Sequence, residues 1–111
     1  MRGPNRTAAH HALKREILRA LGIRTDLRIF ENPRGFDERA KATYGLCPGA
    51  SDLLAIAKPR GRWLALEVKT GGAVTTTEQQ AFLDMINNFG GVGRVVRSID
   101  EAEQAAQEAC R

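Results

Sequence analysis

The stretch Trp63-Leu64-Ala65-Leu66-Glu67-Val68-Lys69-Thr70-Gly71 is the one around which the rest of the chain takes its order. Read with period two, Leu64, Leu66 and Val68 fall on one face of a strand, and Trp63, Ala65, Glu67 and Lys69 on the other. Glu67 and Lys69 are then same-face neighbours, roughly 6.6 Å apart along the strand. Taken alone they read as a solvated ion pair on an edge strand, worth at most about 1 kcal/mol.

The residues before this strand change that reading. Gly49-Ala50-Ser51 is a small-residue turn that delivers Asp52 to the start of the nearly all-apolar run Leu53 to Lys58. Pro59-Arg60-Gly61-Arg62 is a hairpin turn, so the two runs pair antiparallel, with Leu53 or Asp52 close to Glu67 or Val68. After the strand, Thr75 and Glu78 have the spacing of a capping box opening a helix that runs to about Phe89 on Phe82, Met85, Ile86 and Phe89, stopped by Gly90-Gly91. Gln79, in its first turn, either points back to the charged end of the strand or lies on the surface. Val92 to Arg97 reads as a further strand, and Ser98-Ile99-Asp100-Glu101 as the cap of a final acidic, alanine-rich helix to about Ala109.

Upstream, Asn5 to Leu21 has helical periodicity on Ala9, Ala12, Leu13, Glu16, Ile17, Ala20 and Leu21, with Gly22 in the place of a C-terminal cap. A carboxylate inside that stripe is costly unless a cation, a metal or hydrogen bonds compensate it, so Glu16 is a candidate site residue. The alternative is a helix-edge Glu paired with Arg19 or His10. Arg24 to Asn32 alternates as a strand and is ended by Asn32-Pro33-Arg34-Gly35. Phe36 to Ala50 reads as a loop, or a loop with a short strand near Ala42 to Leu46; Arg34, Arg39, Lys41 and Tyr44 there suit contact with phosphates and a base or sugar, or form a solvated connector.

A chain of 111 residues holds one domain, with no room for a second core. Asp100 to Arg111 carries four acids against one arginine, a net of −3, so with +4 overall the preceding 99 residues carry +7, which favours a polyanionic partner. No apolar run approaches a membrane span, and Met1 to Lys14 lacks the apolar centre of a signal peptide, so a cytoplasmic location is expected. Cys47 and Cys110 have neither zinc nor disulfide-framework spacing and are expected as free thiols.

Glu16, Asp52, Glu67 and Lys69 are thus expected to converge. Two carboxylates about 4 Å apart repel by roughly 4 kcal/mol at an effective dielectric near 20, so aiming them together calls for a cation. Oxygen donors without histidine or cysteine suit Mg²⁺ or Mn²⁺. The carbonyl of Val68, between Glu67 and Lys69, is a further candidate ligand. With Lys69 orienting water or neutralising charge, the set describes phosphodiester hydrolysis.

These blocks, Gly45 to Leu54, Trp63 to Thr70, Thr77 to Leu83, Gly90-Gly91 and Val95 to Ser98, resemble in order the VRR-NUC domain, the virus-type replication-repair nucleases of the PD-(D/E)xK superfamily. The resemblance runs from about Leu13 to Ala106 and departs from the family at Thr77, where many members have Pro. It implies an α/β restriction-endonuclease-like αβββαβ core, a central mixed sheet flanked by helices. It also implies Asp52 and Glu67 as metal ligands, Lys69 as the catalytic lysine, Glu16 as the first-helix acid, acting directly or through water, and Gln79 as the helix-start glutamine. Small stand-alone members, often from phage, are similar to Holliday junction resolvases and act as homodimers in a bacterial or phage-infected cytoplasm, whereas fusion-type members cut flaps. A homodimer on branched DNA is therefore the expected assembly, a flap or nicking nuclease the runner-up, and a non-catalytic DNA-binding module the third reading.

Overall fold

The structure is a computed structural model that describes the backbone from Gly3 to Arg111 and the side chains from Thr7 onward. Met1 and Arg2, part of the segment expected to lack a signal sequence, lie outside the described residues. The first helix, α1, spans Gly3–Gly22; strands β1 (Leu27–Glu31), β2 (Gly35–Asp37), β3 (Ala42–Tyr44), β4 (Leu53–Ala57) and β5 (Arg62–Val68) follow; then come α2 (Thr77–Asn88), β6 (Val92–Val96) and α3 (Ile99–Ala109).

Four strands form one mixed sheet in the order β1-β4-β5-β6, antiparallel except for the parallel β5–β6 pair. The parallel pair requires a crossover, which α2 provides. β2 and β3 form a separate two-stranded hairpin; β3 falls on the short strand that the sequence offers near Ala42 to Leu46, whereas its partner β2 lies where a turn and loop are expected.

The alternation in β5 sorts the core. Leu64, Leu66 and Val68 face one layer with Ile17 and Leu21 of α1, Leu53 of β4 and the alanines of α3, whereas Ala65 faces Phe82, Leu83 and Ile86 of α2. α1 and α3 thus cover one face of the sheet, and α2 covers the other over β5 and β6. Small residues on α3, Ala102, Ala105, Ala106 and Ala109, let that helix approach closely; all four are buried.

Several local expectations shift. Gly22 is the last residue of α1 and has no left-handed φ, so it is not the expected C-terminal glycine cap. The cap of α2 is Thr76, not Thr75, with Gln79 as its reciprocal partner, not Glu78. Met85 and Phe89 are not core residues: both are exposed, and Leu83 occupies the buried position instead. Cys47 and Cys110 are free thiols. Among the described residues, no helix is long and apolar enough to cross a membrane.

Gly49 is where the chain passes closest to α2. Its φ is +84°, and a Cβ there would lie 2.5 Å from the carbonyl oxygen of Glu78. Only glycine satisfies both the left-handed backbone and that approach. The approach leads the chain against the first turn of α2 and into β4, which starts one residue after Asp52.

Candidate active site

Leu53 pairs with Leu66 across the β4–β5 hairpin, so one step further Asp52 stands beside Glu67, on the face opposite the leucines. Of the pairings the turn allows, the observed one sets Asp52 beside Glu67 and not Leu53 beside Val68, because Arg62, expected in the turn, already lies in β5, paired with Ala57. Asp52 is 9% exposed and Glu67 2%. Asp52 Oδ2 accepts a 2.9 Å hydrogen bond from the Val68 N–H, supplying an acceptor where the backbone ladder ends. Because N–H and C=O of one residue leave a strand on the same edge, the Val68 carbonyl also faces the Asp52 side; the next N–H, of Lys69, goes the other way, to Val96 O at 3.0 Å.

Lys69 is held from two sides. Its Nζ donates to Gln79 Oε1 at 2.9 Å and lies 3.5 Å from Glu67 Oε2. The same Gln79 oxygen accepts from the Thr76 N–H at 2.9 Å, while Thr76 Oγ1 accepts from the Gln79 N–H, closing the capping box of α2. A helix cap therefore fixes the ammonium group. Replacing Gln79 by Ala is expected to cost about 1 kcal/mol in urea unfolding, because both the cap and the lysine contact go. Gln79→Glu, which preserves both, is expected to unfold near the wild-type urea midpoint.

Three further groups reach Asp52, only one of them a candidate from sequence. Arg34 Nη2 stands 3.8 Å from Asp52 Oδ1, and His10 Nε2 3.5 Å from Oδ2. Asn32 knits the approach: its backbone N–H donates to Asp52 O, its side-chain amide donates to Ser51 O, and its Oδ1 accepts from the Leu46 N–H. The signal for His10 was present, since it lies seven residues before Ile17 and so two turns away on the buried face.

Among the described residues, no hydrogen bond or ion pair joins Glu16 to these groups, and it completes no metal-holding cluster with them. It is exposed, whereas the expected stripe places it toward the core. One residue from the fully buried Ile17 is a rotation of about 100°, which carries Glu16 off the packed face. Arg39, Lys41 and Tyr44 sit on the exposed β2–β3 hairpin; Lys41 has φ +54° and pairs with Glu38 at 3.7 Å, a contact of little energy between exposed groups. Of the four basic-loop candidates, Arg34 alone is within ion-pair distance of Asp52.

Burial, then the Asp52 charge, pushes the Glu67 carboxyl up to about 7, with Lys69 and Arg34 opposing. Glu67 Oε1 is buried and has no hydrogen-bond partner among the described residues. Both features weigh against two bare carboxylates and would be relieved by a cation held between them. Among the described residues, no group of three or more His, Cys, Asp or Glu side chains is placed to hold a metal. The expectation of a site without histidine fails, since His10 Nε2 reaches Asp52; the oxygen donors, two carboxylates and the Val68 carbonyl, suit Mg²⁺, which keeps several waters and takes one or two protein carboxylates, or Mn²⁺. No known family model matches the chain, and a comparison with curated proteins also found no match.

Proposed function

We propose that the chain is a metal-dependent, structure-selective DNA endonuclease that hydrolyses phosphodiester bonds in branched DNA, acting as a homodimer that makes paired nicks on a four-way junction. The observation that carries the nuclease reading is Glu67: a buried carboxylate beside Asp52, one oxygen without a partner among the described residues, with the Lys69 ammonium fixed next to it. The junction part rests on the small size of the chain and on its resemblance to VRR-NUC domains; the homodimer follows from it, since paired incision needs two sites related by symmetry.

Asp52, Glu67 and the Val68 carbonyl would hold Mg²⁺ or Mn²⁺, which when bound supplies positive charge at the phosphate and lowers the pKa of water. Lys69 has three N–H donors. One is taken by Gln79 and one is directed toward Glu67, which leaves one to orient the attacking water or to hold a non-bridging oxygen as charge develops there. Arg34, 3.8 Å from Asp52 Oδ1, would hold a neighbouring phosphate, and Arg39, Lys41 and Tyr44 on the exposed hairpin would extend that contact along the duplex.

A labelled four-way junction, a 5′ flap and a linear duplex, each incubated with the protein in Mg²⁺ or Mn²⁺, test the reading. Symmetric paired cuts in the junction are expected. Preferred cleavage of the flap by a monomer would replace the junction assignment with a flap nuclease. No phosphodiester cut in either metal would remove the enzyme assignment.

A further inference from the structure

α2 covers its face of the sheet over β5 and β6 and leaves the β1–β4 side of that face open. The side chains there are apolar. Phe30 and Ile56 are about half exposed, as are Leu46 and Trp63, and on α2 Met85 and Phe89 turn outward, Phe89 at 82% exposure. They line one trough in two lobes of about 590 and 340 Å³ that share Leu46 and Trp63. Contiguous exposed apolar surface of this kind marks a binding face.

The charges of the trough choose its occupant. The charged residues lining the two lobes are Arg60 and Arg62, with no carboxylate. Arg62 is committed to the carbonyls of Gly90 and Glu108, whereas Arg60 has no ion pair among the described residues. Arg28 shares the open face with Phe30, two residues away, pairs across the sheet with Ile56 and likewise has no ion pair among the described residues. An apolar floor with unpaired cations on its rim complements a segment that is apolar on one side and acidic on the other. A second copy bound about a two-fold axis would set this cationic rim against itself. Single-stranded nucleic acid needs stacking faces, and here the aromatic rings are interrupted by Leu46, Ile56 and Met85.

We propose that this trough is the docking site for an acidic amphipathic segment of a partner protein, whose apolar residues at helical spacing sit against Trp63, Ile56 and Phe89 and whose carboxylates meet Arg28 and Arg60. The surface is distinct from Asp52 and Glu67, so it recruits the protein without occupying the catalytic groups.

The test pans a phage-displayed library of random peptides of about 12 residues, three helical turns, against the intact chain. Enrichment of net-acidic peptides with apolar residues at three-to-four spacing is expected. An enriched peptide, measured by fluorescence anisotropy, should bind at least about tenfold more weakly to Phe89→Ser and to the double variant Arg28→Glu, Arg60→Glu. Both variants alter exposed side chains, and unchanged thermal melts and DNA cleavage would show that fold and site persist; if Phe89→Ser fails to fold, the charge-reversed variant decides. The proposal is overturned if neutral or basic peptides are enriched, if none is, or if affinity is unchanged in the decisive variant. It is equally overturned if sedimentation shows self-association that Phe89→Ser abolishes, or if oligothymidylate displaces the peptide.

Discussion

Asp52→Asn is expected to give a folded protein that still binds a four-way junction and no longer cuts it. Asparagine retains a side-chain oxygen to accept the Val68 N–H, now made at 2.9 Å, so the end of the β4–β5 hairpin stays pinned. What it loses is the negative charge, and with it the affinity of the carboxylate pair for a divalent cation. Lys69→Ala is expected to lower the cleavage rate by about a hundredfold to a thousandfold, the range for removing one preorganised donor aimed at developing charge. It should leave Asp52 and Glu67 in place and barely change binding, because a single ammonium is a small part of the contact made by a body this basic. Single-turnover cleavage and a gel-shift titration of the same junction separate the two effects. If Asp52 only ties β4 to β5, Asp52→Asn will cut at the wild-type rate, and the assignment of Asp52 as a metal ligand fails.

The parts of this site that were legible in sequence are those governed by a short period and a tight turn. Alternation in Trp63 to Lys69 assigned both faces of β5, and the turn at Pro59 to Arg62 narrowed the register to a few pairings, among them the observed one of Asp52 beside Glu67. Gln79 was legible as a first-turn residue near the strand end, but not as the cap partner. Thr75, Thr76 and Thr77 are followed at capping-box distance by Glu78, Gln79 and Gln80, so the sequence offers three equivalent boxes. The choice falls on Thr76, the box whose Gln79 also reaches Lys69. Glu16 failed for a different reason. Small residues such as Ala12 and Ala20 tolerate either environment, so they widened the apparent stripe until it included a solvent-facing position; the fully buried Ile17 and Leu21 define its true centre, and that phase selects His10. The outward Met85 and Phe89 show the same limit: periodicity finds an apolar stripe but does not reveal whether the fold supplies anything to cover it.

Metal-free protein is expected to lose stability as the pH rises from about 5 to 8, and Glu67→Gln to remove that part of the loss. The ordinary pKa of this carboxyl, 4.5, applies to the unfolded chain, and burial with the Asp52 charge holds it at about 7 in the folded one. Below 4.5 both states keep the proton and the group favours neither. Between the two values the unfolded chain releases its proton and the folded chain retains it, so stability falls with rising pH. Above about 7 both are ionised and the loss is complete, at most about 3 kcal/mol. Thermal melts in EDTA across this range should therefore slope downward for the wild type and less so for Glu67→Gln, with the variant the more stable at pH 8. Asp52→Asn removes the neighbouring charge that raises Glu67, so its slope should fall between the two. Added Mg²⁺ or Mn²⁺ favours the ionised form and should flatten the wild-type profile without acting on Glu67→Gln to the same degree. Parallel profiles for wild type and Glu67→Gln would show that Glu67 titrates as an ordinary solvated acid. The strain between the two carboxylates, which is the reason to place a cation there, would then be absent.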